Sequence, residues 1–404
     1  RMTTGHLSSL KNFHPPIQSS IFLKMDHRIT RASFTNLLTN LQYNMVAKII
    51  SPVCFLLFLA IAATASAQKK SRLPKNIILM IGDGMGVAQV YAGLTANKGH
   101  LNLERCPSIG FHKNQASDQY VTDSAAGATA FACGQKTYNG AIGVDPERRS
   151  LPTILEIAEK HGLSTGLVAT CSITHATPAS FIAHQPSRSL DEAIAVDFLK
   201  TDIDVFIGGG RKFFSHRADG LNLVDSLKAR KYNIAYTIDE VQSVKEGKLA
   251  AFLAEEQQAK FSDGRGDELV KSTEVALNIL KQNKKGMFLM IEGSQIDWGG
   301  HANDTQYIID EMIDFDNAIG KVLDFAMKDE NTLVIITADH ETGGFSINGG
   351  DMATGRVDGK FTTGGHTGVM IPVYAFGPGS EKFSGIYDNT AIFHKMLEAY
   401  GFNK

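Results

Sequence analysis

The chain has 404 residues, 43% of them hydrophobic and 20% charged, with a formal net charge of −2. Those proportions match ordinary globular proteins and exclude collagen-like, coiled-coil and disordered chains. Near-neutral charge argues against a dedicated nucleic-acid binder, and four cysteines in this length cannot make the disulfide framework of a small secreted domain.

From Met45 to Lys70 the chain departs from that average. Lys48 precedes an apolar stretch, Val53 to Ala63, and then the small-residue tripeptide Ala65-Ser66-Ala67. This is the pattern of a secretory signal peptide cleaved after Ala67. The uninterrupted apolar core is about ten residues, short of the roughly 20 that a membrane span needs. Residues 1–44, basic and rich in Ser, Thr and Asn, read as upstream sequence or an over-long n-region, with Met45 or Met25 as the start. The expected organisation is therefore a leader over 1–67, a single catalytic domain over 68–404, and export to a periplasmic or extracellular place with no transmembrane anchor. Without the leader the formal charge is near −7. Cys54 goes with it, leaving Cys106, Cys133 and Cys171, enough for one disulfide at most.

Downstream, short apolar runs read as strands: Asn76–Gly82, Thr165–Thr170, Ile203–Gly208, Met287–Glu292, Thr332–Thr337 and Val373–Gly377. Runs this continuous suit strands buried on both faces. Amphipathic stretches lie between them, at Leu151–His161, Ser189–Lys200, Glu268–Gln282, Tyr307–Met327 and Thr390–Tyr400. The alternation predicts an α/β fold, a doubly wound and mostly parallel sheet with helices on both faces and a metal site at the carboxyl ends of the strands. Asp239–Gly266 reads as charged and peripheral, and Gly343–Gly365 as a glycine-rich loop.

Acids and histidines fall at those strand ends. Asp83 follows the first run, Glu292 closes the fourth with Asp297 and His301 soon after, Asp339-His340 follows the fifth, and His366 precedes the sixth. Four acids drawn together repel one another unless cations neutralise them. Mixed imidazole and carboxylate donors without cysteine suit a catalytic zinc site better than a structural one. Asp297-x-x-x-His301 sets two donors one helical turn apart. In Val121-Thr122-Asp123-Ser124-Ala125-Ala126-Gly127, Ser124 opens a small-residue helix. It reads either as an N-cap or as a nucleophile at a helix terminus suited to phosphate. No His-Asp relay accompanies it, so a cation would have to activate it.

Taken together, Asp83-Gly84-Met85-Gly86, Thr122-Asp123-Ser124-Ala125-Ala126, His175-Ala176-Thr177-Pro178-Ala179, Glu292-Gly293-x-x-Ile296-Asp297 with His301, Thr337-Ala338-Asp339-His340-Glu341 and His366-Thr367-Gly368 resemble the alkaline phosphatase family. The motifs come in that family's order, from Asn76 to the C-terminus. The resemblance implies hydrolysis of phosphate monoesters through a phosphoserine on Ser124, with two zinc ions and one magnesium ion. It implies that Asp297, His301 and His366 hold the zinc that delivers water, and that Asp339 and His340 hold the second zinc. Asp83 is then shared between the second zinc and the magnesium, with Thr177 and Glu292 as the other magnesium ligands. Arg188, thirteen residues after His175, matches the arginine that grips phosphate; read alone, it is a surface arginine after a turn, as Thr177 is a turn cap before Pro178.

Two positions differ from some members: His175 stands for Asp, and Trp298 for Lys or His. His175 reads as a third-metal ligand or as a hydrogen-bonding neighbour of one, and Trp298 with Asp123 as pocket residues. The expected partners are small phosphate monoesters and no nucleic acid, and the resemblance leaves room for a homodimer. A phosphodiesterase or sulfatase on the same scaffold, or a non-catalytic zinc- or phosphate-binding protein, are the competing readings. Ser124 and Arg188 favour the monoesterase.

Overall fold

The computed structural model describes residues 73–402, and the expectations for the leader lie outside them. Asn76–Gly82 (β1), Ser164–Ser172 (β3), Met287–Gly293 (β7) and Thr332–Thr337 (β8) are buried along their whole length. Side chains alternate across a strand, so each of these must meet apolar partners on both faces. Ile77, Leu79 and Ile81 enter one core, with Ala125, Ala128 and Phe131 of the helix Ser124–Cys133 and Ile392 and Met396 of the helix Thr390–Tyr400. Ile78 and Met80 enter the other, packed by the helices Glu268–Leu280 and Thr305–Asp329. Helices therefore cover both sides of the sheet.

Six further strands complete it: Ser108–Lys113 (β2), Val205–Gly209 (β4), Tyr232–Ala235 (β5), Lys248–Phe252 (β6), Ile371–Phe376 (β13) and Gly385–Asp388 (β14). The order is β14-β2-β13-β8-β1-β7-β3-β4-β6-β5. Every pairing is parallel except those of β13, which is antiparallel to both β2 and β8. Reversal places the start of β13 at the edge where β8 ends. That is how His366, five residues before β13, comes to the same rim as acids that follow parallel strands.

Two sequence expectations are corrected. Asp239–Gly266 is not peripheral throughout, because β6 lies between β4 and β5 with Leu249–Phe252 buried. Its apolar run, Leu249 to Ala254 between Lys248 and Glu255, is half alanine and holds no β-branched residue, so it lacks the usual mark of a strand. Gly343–Gly365 is not simply a loop: Ser346–Asp351 (β10) and Arg356–Lys360 (β11) pair as an antiparallel hairpin. Flanking it, Glu341–Thr342 (β9) pairs with His366–Thr367 (β12), with His366 opposite Thr342. Among the described residues no helix is long and apolar enough to cross a membrane. Cys106, Cys133 and Cys171 are all buried and free.

Candidate active site

Three adjacent strands, β8, β1 and β7, end together and set their acids side by side. After β1 the chain turns at Gly84, whose φ of +73° and proximity to Asp297, where a Cβ would lie 2.7 Å from the Asp297 Cα, leave no room for a side chain. The Gly84 N–H donates to Asp339 Oδ1 at 3.3 Å, and the His340 N–H to the same oxygen at 3.0 Å. His340 Nε2 then stands 3.3 Å from Asp339 Oδ2, 3.5 Å from Asp83 Oδ1 and 3.2 Å from Ser124 Oγ. Asp83, Asp339 and His340 are wholly buried.

Asp297 and His301 lie one turn apart on the helix Ile296–His301, as the spacing predicted, with Asp297 Oδ2 3.3 Å from His301 Nε2. His366 Nε2 comes within 3.6 Å of Asp297 Oδ1 and 3.2 Å of His301 Nε2. His301 Nδ1 donates to the Gly364 carbonyl at 2.7 Å and His366 Nδ1 to the Thr122 carbonyl at 2.9 Å. A carbonyl only accepts, so both contacts fix the proton on Nδ1 and turn Nε2 toward the acid. The Thr342 hydroxyl bonds Asp297 Oδ1 and sits 3.2 Å from His340 Nδ1. His340 and His366 stack with ring centres 3.6 Å apart. Asp297 thus belongs to two donor sets, with His301 and His366 and with Asp83 and His340, each set within 4.8 Å.

Ser124 is not the N-cap. Asp123 takes that role, its Oδ1 accepting from the Ala126 N–H at 2.9 Å, and Ser124 is the first residue of its helix. The Ser124 hydroxyl is left to face the site, 3.5 Å from Asp83 Oδ1. Close approach depends on Gly127, where a Cβ would stand 3.0 Å from the Asp339 Cβ. The other oxygen of Asp123 pairs with Arg188 Nη1 at 3.0 Å, and Arg188 Nη2 reaches His175 Nε2 at 3.2 Å. The guanidinium is therefore held beside the serine helix rather than in solvent. Trp298 is half-buried, edge-on to His175 with ring centres 6.3 Å apart.

A third donor group holds Cys171, His175 and Glu292 within 4.8 Å, with Thr177 beside it. Sequence reasoning missed Cys171 and Thr342. Thr342 stands two residues past His340 and could have been flagged by that spacing; nothing in the pattern marks Cys171.

Electrostatics describe a site short of positive charge. Burial, with repulsion from Asp339, Asp297 and Glu292, pushes Asp83 well above the usual carboxylate range. Burial and the Asp297 charge raise Asp339 to about 6, and burial raises Glu292 to about 7 against hydrogen bonds that partly offset it. Burial acts on Asp297 in the same sense, yet its bond to His301 and the fields of the three imidazoles hold it low. That bond lifts His301 to about 9, while burial holds His340 well below its usual value and His175 at about 3. Asp83 Oδ2, Asp339 Oδ2, Glu292 Oε1, Thr177 Oγ1 and His175 Nδ1 are buried without hydrogen-bond partners. Such groups are costly to bury unless something positive meets them, and the donor set fits divalent cations.

A mostly parallel α/β sheet with clustered acids and histidines at its carboxyl edge, beside a serine and an arginine, defines a metal-binding hydrolase. The alkaline phosphatase family model matches residues 74–360. Alkaline phosphatase 3 of Bacillus subtilis (strain 168) is 36% identical, with 84% of this chain and 92% of that protein covered. The structure of alkaline phosphatase from the Antarctic bacterium TAB5 is 45% identical with a TM-score of 0.78, covering 83% of this chain and all of that one. A histidine-to-aspartate variant of the TAB5 enzyme, 44% identical with the same TM-score and the same cover of both chains, is described with Mg bound in its M3 site. The chain belongs to the alkaline phosphatase family and is a phosphatase.

Proposed function

We propose that the protein hydrolyses phosphate monoesters by two displacements at phosphorus, through a phosphoserine on Ser124. The observation that carries this reading is the placement of Ser124 Oγ, buried at a helix start within 3.5 Å of both His340 and Asp83. Asp297, His301 and His366 would hold one zinc, and Asp339 and His340 with Asp83 a second. Asp83, Thr177 and Glu292 would hold a third divalent cation, magnesium by the family resemblance. Bound there, cations supply positive charge that lets a nucleophile approach a phosphate dianion and that stabilises the attacking and leaving oxygens.

The chain's own residues do the rest. Arg188, steadied by Asp123, offers a planar fork to two phosphate oxygens. The Ser124 oxygen bonds to phosphorus as the ester P–O bond breaks, and the serine proton leaves with the alcohol. Water oxygen then bonds to phosphorus as the P–Oγ bond breaks, restoring the serine and releasing inorganic phosphate. The segment 45–67 would direct export as a secretory signal peptide.

Quenching the enzyme in acid during turnover of a radiolabelled monoester should trap label on Ser124, and Ser124→Ala should trap none. Undiminished phosphate release by Ser124→Ala would refute the assignment. Faster turnover of a nitrophenyl diester or sulfate than of the monoester would refute the substrate class.

A further inference from the structure

The mechanism above makes no use of Cys171, although this cysteine lies inside the third donor group. It is fully buried on β3, with Sγ 3.3 Å from Glu292 Oε2. Leu167, Ala169 and Cys171 alternate onto the same side of β3 and enter the same core. On the edge toward β7, Ala169 stands opposite Glu292, so Cys171, two residues on, shares its side of the sheet. His175 completes the group, its Nδ1 buried without a partner, as are Glu292 Oε1 and Thr177 Oγ1. Zinc bonds of about 2.3 Å to sulfur and about 2.1 Å to oxygen at a tetrahedral angle set two donors about 3.6 Å apart. The observed sulfur–oxygen separation of 3.3 Å is close to that. Cys106 and Cys133 join no such group among the described residues.

We propose that Cys171 is a sulfur ligand of the third cation site, which therefore takes zinc, or a cation of similar softness, in preference to magnesium. The proposal rests on the reading of Asp83, Thr177 and Glu292 as a cation site and changes what that site selects. Magnesium demands hard oxygen donors, whereas thiolate and imidazole favour zinc. Ligation leaves the sulfur as thiolate and releases the thiol proton to solvent.

Cobalt(II) tests this without relying on turnover, because a thiolate bound to cobalt gives a charge-transfer band in the near-ultraviolet that oxygen and imidazole donors do not. The metal-stripped full-length protein, refilled with cobalt, should bind three ions per chain and show the band. Cys171→Ala and Cys171→Ser should lose it, while Cys106→Ala and Cys133→Ala keep it. In dialysis, magnesium at about a hundredfold excess should leave the third zinc in place in wild type and displace it in Cys171→Ala. Three bound cobalt ions without the band would overturn the proposal, and so would a band that survives in Cys171→Ala. That wild-type spectrum decides the matter even where a Cys171 variant fails to fold. Two bound ions with monoester hydrolysis intact would overturn this proposal and leave the phosphoserine mechanism standing. No bound ions and no hydrolysis would overturn both.

Discussion

The rim and the floor of the site use the same residue types to opposite electrostatic effect. At the rim, His301 keeps 41% of its side chain exposed, and pairing with Asp297 draws a proton onto it. On the floor, Asp83, Asp339 and His340 are wholly buried, and burial drives the acids toward neutrality and the imidazole away from its charge. An imidazole beside an acid in water makes an ion pair by itself; the same two groups out of water need a third charge to stay ionised. The rim can therefore balance its charges with protons, whereas the floor requires a cation.

Asp297 joins the two regions, and removing its charge is the most damaging test of their separation. Asp297→Asn should lose metal from both donor sets and lower turnover by more than about a hundredfold, beyond what loss of an outer partner alone costs. Metal content measured beside kcat checks this; loss of one ion only would mean that the sets are independent. Thr342→Val should have the next largest effect. Its hydroxyl touches Asp297 and His340 together, so affinity in both sets should fall about 10- to 100-fold by metal titration. A third test uses access: under chelation the rim ion should leave before the floor ion, seen as two phases of metal release, and His301→Ala should remove only the fast phase.

The smallest effects concern pH, measured by denaturation of the metal-stripped protein. The folded pKa of His301, about 9, is raised above its ordinary 6.5, so its pairing contributes stability that is complete below 6.5 and gone above 9. His301→Gln should therefore cost stability at pH 6 and little at pH 9.5. Glu292 moves the same way with pH but as a cost: with its carboxyl raised from 4.5 to about 7, the fold loses stability as pH climbs between those values, because the unfolded chain ionises first. Glu292→Gln should gain on wild type across that window, and adding zinc should erase the gain.

Much of this was legible in the sequence, for a physical reason. Strands buried on both faces must be apolar throughout, so β1, β3, β7 and β8 stand out. In a parallel sheet the residues that follow them share one edge, so Asp83, Glu292 and Asp339 could be placed together before any coordinates. The weak signals lay where burial is short or one-sided, as in β6, and in β2, which alternates buried and exposed residues. The N-cap reading of Ser124 fails because Asp123, one residue earlier and just as good a cap, makes the bond that decides. Cys171 was illegible for a different reason: its reach to Glu292 depends on a cross-strand neighbour more than a hundred residues away.

The one antiparallel strand of the ten-stranded sheet also dictates an order of assembly. β13 lies between β8 and β2, so β2 and β14 join the sheet only through it, although β2 is the second strand to be synthesised. The partner of β2 is thus more than 250 residues further along the chain, a closure that long-range pairing makes slow. His366, just ahead of β13, arrives with that same closure. A nascent chain that has completed β1, β7 and β8 holds the floor acids but neither the last rim imidazole nor a finished sheet. Capture of a full complement of ions is therefore a late event, one that reports the end of folding rather than guiding its beginning.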